Sequence, residues 1–83
     1  MLAVAPRYEP QVALGRAIRQ RREEQGLRQQ DVANAADLNS TWLSHIESGR
    51  VNPALGTIER IAAALGLRAS ELLARAEALD DGK

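Results

Sequence analysis

Residues 29–52, QQDVANAADLNSTWLSHIESGRVN, constrain the chain more than any other stretch. They read as two short helices joined by a tight turn. Asn39 precedes STWLSHIES and suits an N-cap, because its side-chain oxygen can accept from a free backbone N–H. Gly49 follows and suits the left-handed residue that ends a helix. The spacing predicts a helix over 40–48. At about 100° per residue, His45, Ser44 and Ser48 fall on the same side as Thr41, while Leu43 and Ile46 lie opposite, flanked by Trp42 and Glu47. A helix this short does not stand alone in water, so its apolar side must be docked. Docking leaves Thr41, Ser44 and His45 presented outward, with Ser40 in the exposed first turn.

The partner helix is predicted over 29–36, with Val32, Ala33 and Ala36 as its buried stripe. Asp37 sits where the chain must reverse, and Asp tolerates the left-handed region better than most non-Gly residues. Helix, short turn, helix at this length is a helix-turn-helix.

The stretch GLRQQDVANAADLNSTWLSHIESGRVNP resembles the Cro and Xre phage-repressor-type regulators. The matching positions are Gly26, Leu27, Gln29, Ala33, Trp42, Leu43, Ser44, Ile46, Glu47, Gly49, Asn52 and Pro53. The likeness extends back to Leu14 and forward to about Leu73. Arg28, Ala54 and Arg68 stand where helix caps are usual in the family, and Asp37 where a Gly is usual. The resemblance implies an all-α, five-helix, lambda-repressor-like DNA-binding domain. Chains of this length resemble small phage-type repressors and the controller proteins of restriction–modification systems.

The other helices follow from periodicity and glycine punctuation. Helix 1 is expected over 11–25, with Leu14, Ile18 and Arg22 at i, i+4, i+8 and with Val12, Ala17 and Arg21 beside them; Gly26 caps it and Leu27 packs back. Helix 4 is expected over 55–65 on the stripe Leu55, Ile58, Ile61, Ala62, Leu65. Gly66 and Leu67 repeat the capping device. Helix 5 is expected over 69–79 with Leu72, Leu73, Ala76 and Leu79. Residues 1–10 are read as a flexible arm, 11–79 as the domain and 80–83 as a flexible tail.

Arg22 lies on the core side of helix 1, where a charge is expensive unless paired. The resemblance implies Glu47 as its partner, and Glu47 itself flanks the buried side of its helix and needs a cation. The pair is expected to be structural.

Eighty-three residues allow one small domain, for which oligomerisation is a common remedy for marginal stability. With no Cys and one His, disulfides and a structural zinc site are not expected, nor is any metal or cofactor. No apolar run approaches the ~20 residues of a membrane span, and MLAVAP lacks the form of a signal peptide, so a cytoplasmic protein is expected. Catalysis finds little support: His45 has no evident carboxylate orienter, the serines have no nucleophile context, and there is no Gly-rich phosphate loop. Net charge is zero, which argues against strong non-specific nucleic-acid binding, although arginines crowd the first third of the chain.

The function expected is a sequence-specific double-stranded-DNA-binding transcriptional regulator, read as a small dimeric repressor or controller. In the helix-turn-helix mode the second helix enters the major groove. Ser40, Thr41 and His45 are the base-edge candidates, with Asn39 and Ser44 beside them. Trp42 is either a half-buried core residue or an indole N–H donor to phosphate. Arg28 and Gln29 fit phosphate contacts at a helix start. Arg50 and Asn52 can donate to phosphates from the following loop. Leu73, Ala76 and Leu79 are the expected dimer surface, and a homodimer implies a pseudo-palindromic operator. The alternative is a protein-interaction module or antitoxin that keeps the same fold.

Overall fold

The computed structural model describes residues 9–81. Five helices follow one another: α1 (Pro10–Glu24), α2 (Gln29–Ala35), α3 (Ser40–Glu47), α4 (Leu55–Ala64) and α5 (Ala69–Asp81). No strand occurs among the described residues. The expected flexible arm lies outside them at positions 1–8. Pro10, assigned to that arm, instead opens α1, where its missing N–H costs nothing. At the other end α5 continues through Asp81, past the expected end at Leu79, and positions 82–83 lie outside the described residues.

The chain reverses on residues suited to positive φ. Gly26, Gly49 and Gly66 have φ of 68°, 77° and 74°, and Asp37 has φ of 58°. After Gly26 the N–H of Leu27 returns to the carbonyl of Arg22 at 3.1 Å, and after Gly66 that of Leu67 returns to Ala62 at 2.8 Å. Each closes the helix end and turns the next leucine back against the core. Asp37 does the same for α2, with Leu38 N–H on the Ala33 carbonyl at 2.8 Å.

Every helix contributes to one core: Leu14, Ala17 and Ile18 from α1; Val32 and Ala33 from α2; Leu43 and Ile46 from α3; Ile58, Ile61 and Ala62 from α4; Leu72 and Ala76 from α5. Leu55 departs from the expected stripe. It has the right azimuth, but it is the first residue of α4 and stands exposed beyond its neighbours. Val12 is likewise exposed beside the α1 stripe. No helix among the described residues is long and apolar enough to cross a membrane.

Two of the three missing caps are replaced from inside the helix. Arg28 has no acceptor with which to cap α2; instead the Asp31 carboxylate, three residues on, accepts from the Arg28 N–H at 2.9 Å. At α5 the Glu71 carboxylate accepts from the Arg68 N–H at 2.8 Å. Ala54, before α4, has no side-chain cap.

Candidate nucleic-acid interface

The geometry of α3 begins at its cap. Asn39 Oδ1 accepts from the N–H groups of Thr41 at 2.7 Å and Trp42 at 3.2 Å. The helix buries Leu43, Ile46 and Glu47. Thr41 and Trp42 are exposed, and Ser40, Ser44 and His45 are half-buried along the same outer side. Trp42 is 41 % exposed and so is not a core residue. Its ring meets His45 edge-on, with centroids 6.5 Å apart and planes at 69°. The two rings therefore act as one surface, and each limits the rotamers of the other. Ser48 Oγ donates to the His45 carbonyl at 3.0 Å, closing the helix end.

Behind this face lies a charged anchor. Arg22 Nε and Nη2 donate to the two oxygens of Glu47 at 2.8 and 2.9 Å, a bidentate pair. Arg22 Nη1 also donates to the Leu27 carbonyl at 2.9 Å. The Glu47 side chain is 4 % exposed and that of Arg22 12 %. The hydrogen bond to Glu47 raises the Arg22 pKa against the opposing effect of burial. The bidentate contact gives each buried charge its counter-charge.

Gln29 completes that anchor. Its Nε2 donates to Glu47 Oε1 at 3.0 Å. The side chain expected to reach a phosphate is thus committed to tying the start of α2 to the end of α3. Arg28, by contrast, is well exposed, and among the described residues its guanidinium meets only the neighbouring Asp31, at 3.0 and 3.3 Å. That hydrogen bonding raises the Arg28 pKa and lowers that of Asp31. Arg50 and Asn52 are exposed in the loop after α3. Asn52 also lines a groove with Gln11, Leu14, Leu73 and Glu77, so it borders a second surface.

Sequence reasoning passed over Gly15, which fixes how α3 sits on α1. A Cβ built there would fall 2.4 Å from the Ile46 carbonyl oxygen and 2.6 Å from that of Glu47. The backbones meet at a distance that only Gly permits. The available signal was a Gly inside an otherwise helical pattern, which costs about 1 kcal/mol relative to Ala and calls for a packing reason.

The expected dimer residues separate. Ala76 is 3 % exposed and belongs to the core of the single chain, reaching the floor of the groove beside Leu73. Leu79 is half-buried against the same core. Leu73 alone is exposed, at 36 %. Among the described residues, no cluster of His, Asp or Glu is suited to a metal ion.

Residues 13–76 match the family described as Helix-turn-helix domain. The chain is 39 % identical over 64 residues to the HTH-type transcriptional regulator DdrOP3 of Deinococcus deserti, an alignment covering 77 % of this chain and 50 % of that protein. It spans roughly half the length of the first curated relatives it matches. Among solved structures it is similar to the clp gene regulator ClgR from C. glutamicum, with TM-score 0.80 and 27 % identity, covering 84 % of this chain and 91 % of that one. It is also similar to the restriction-modification controller protein C.AhdI from Aeromonas hydrophila, with TM-score 0.74 and 31 % identity, covering 78 % and 98 %. A family match across most of the chain, on a five-helix fold with α2, a left-handed Asp37 and α3 in sequence, carries one conclusion: the chain belongs to the helix-turn-helix domain family.

Proposed function

We propose that this chain is a sequence-specific duplex-DNA-binding regulator of transcription that works as a homodimer in the cytoplasm. One observation carries the reading. The outer side of α3 presents Thr41, Trp42, Ser44 and His45, while its inner side is clamped by the Arg22–Glu47–Gln29 network. A helix held so firmly from behind, with hydrogen-bonding side chains in front, suits insertion into the major groove. The controller protein C.AhdI, nearly all of whose length is covered by the match, supports a small regulator of this kind.

Thr41 and His45 meet base edges. The Thr hydroxyl donates or accepts, its methyl meets a thymine methyl, and the imidazole donates to guanine N7 or O6. The Trp42 ring sets the His45 ring plane. Arg28 and Arg50 hold phosphates, and Asn39 and Ser40 position the start of the helix. Gln29 acts through Glu47 and is a positioning residue.

The test compares variants on a selected duplex and on random duplex. Thr41→Ala loses about 1–3 kcal/mol on the selected site and little on random DNA. Arg50→Ala weakens both alike and lowers the salt slope by about one phosphate. Equal losses for Thr41→Ala on the two duplexes would remove it from base reading. A protein-interaction module would show no duplex binding that falls steeply with salt.

A further inference from the structure

We propose that the cleft between α1 and α3 is a phosphate site in which the Arg19 guanidinium, held at rest by Glu23, turns to a DNA phosphate beside the recognition helix. The inference rests on the reading that α3 occupies the major groove. That groove is about 12 Å wide and an α-helix with its side chains nearly fills it, so a phosphate backbone must run along each flank of α3. The loop carrying Arg50 follows the end of α3. Against the side of α3 that carries Ser44 and Glu47 is an open cleft of about 290 Å³ lined by Arg19, Arg22, Gln29, Ser44, Glu47 and Ser48. It has room for a tetrahedral anion.

The charges in the cleft divide into a closed pair and a loose one. Arg22 and Glu47 neutralise each other through the buried bidentate contact. Arg19 is 65 % exposed, and among the described residues it bonds to Glu23 alone, also exposed, one helical turn along at 3.1 Å. An exposed i,i+4 pair of this kind is weak. A DNA phosphate offers a stronger partner, because binding it also releases condensed counterions. Ser44 on α3 puts a hydroxyl group on the opposite wall, and Ser48, whose own hydroxyl proton is held by the His45 carbonyl, lines it one turn on. The site thus has an exposed cation on one side, a hydroxyl on the other and a neutralised floor. Glu23 opposes binding by holding the Arg19 guanidinium away from the phosphate.

Arg16 supplies the matched control. It lies one turn earlier on α1 and carries the same charge, but it lines the neighbouring depression with Gln20 and Leu79, which Arg19 and Glu23 also border, and it does not line the cleft beside α3. Binding of a duplex is followed by fluorescence anisotropy over a salt series for the parent, Arg19→Ala, Arg16→Ala, Glu23→Gln and the double variant Glu23→Gln/Arg19→Ala, with thermal melts confirming that each is folded. Arg19→Ala flattens the slope of log affinity against log salt by about 0.9, so that its deficit relative to the parent shrinks about 3.5-fold between about 50 and 200 mM salt. Arg16→Ala leaves the slope unchanged. Glu23→Gln strengthens binding, and the gain vanishes when Arg19 is Ala. A parent that binds with a steep salt slope that Arg19→Ala shares, equal flattening by Arg16→Ala, or a Glu23→Gln gain that survives without Arg19 overturns the site and leaves the DNA-binding reading standing. A parent that binds no duplex overturns both.

Discussion

Glu47 is nearly closed off from water and accepts three hydrogen bonds, two from Arg22 and one from Gln29. Removing one partner of a buried pair strands the other charge at a cost on the order of 3–5 kcal/mol. Glu47→Ala is therefore expected to lower the melting temperature sharply, and melting like the parent would show that the pair is not structural. Gly15→Ala gains about 1 kcal/mol of helix propensity, but it drives a methyl group into the carbonyls of α3. With backbone as the obstacle, the overpacking cost, about 1–3 kcal/mol and occasionally more, should outweigh that gain. Calorimetry that finds the Ala variant more stable would contradict the close contact. The left-handed Asp37 was legible from its place in the turn and from what Asp tolerates. Gly15 was not, because a close approach between α1 and α3 is a tertiary fact that leaves only an oddly placed Gly in the sequence. The Gln29 contact to Glu47 was hidden for a related reason. Nothing local reveals that Glu47 has an acceptor left over after pairing with Arg22.

Helices α2 and α5 start without side-chain caps at the usual position, and in both a carboxylate three residues on substitutes. In α2 that carboxylate is Asp31, whose pKa is lowered first by the Arg28 side chain and then by the Arg28 backbone N–H. A carboxylate depressed on folding stabilises the protein above its unfolded pKa, and the contribution is lost as pH falls through the lower, folded value. NMR titration should place the Asp31 midpoint below the ordinary aspartate range, and Asp31→Asn should destabilise near neutrality while making stability less sensitive to acid. A midpoint at or above the ordinary value would refute the substitute cap. At the other end of the fold Glu24 is depressed in the same way by Arg75, which joins α1 to α5 at 3.1 Å. Helix positions were readable because the glycine punctuation coincides with the ends of the apolar stripes. Burial along a stripe was less so. Leu55 shares the azimuth of Ile58 yet sits past the edge of the core, and Ala76 rather than Leu73 faces inward. On a stripe as wide as that of α5, angular position alone does not decide which residue a neighbour covers.

On the proposed reading one chain offers three or four base contacts, none of them the bidentate Arg or Gln readers that reach the upper end of ~1–3 kcal/mol each. Specific regulators exceed their non-specific binding by roughly 4–10 kcal/mol, which two copies of this face reach more readily than one. The dimer is proposed to form around Leu73 and the groove it lines with Pro10, Gln11 and Asn52. Leu73→Glu should then shift sedimentation equilibrium toward monomer while leaving the far-ultraviolet circular dichroism unchanged; a parent that stays monomeric on its best site, with a footprint of one half-site, would exclude the dimer. The central claim, that α3 reads duplex sequence, is tested most directly by selecting binding sites from random duplex DNA with the parent protein. The expected result is an enriched pseudo-palindrome with half-sites about one helical turn, ~34 Å, apart, whose preference changes with Thr41→Ala. A selected pool with no sequence in common would contradict it.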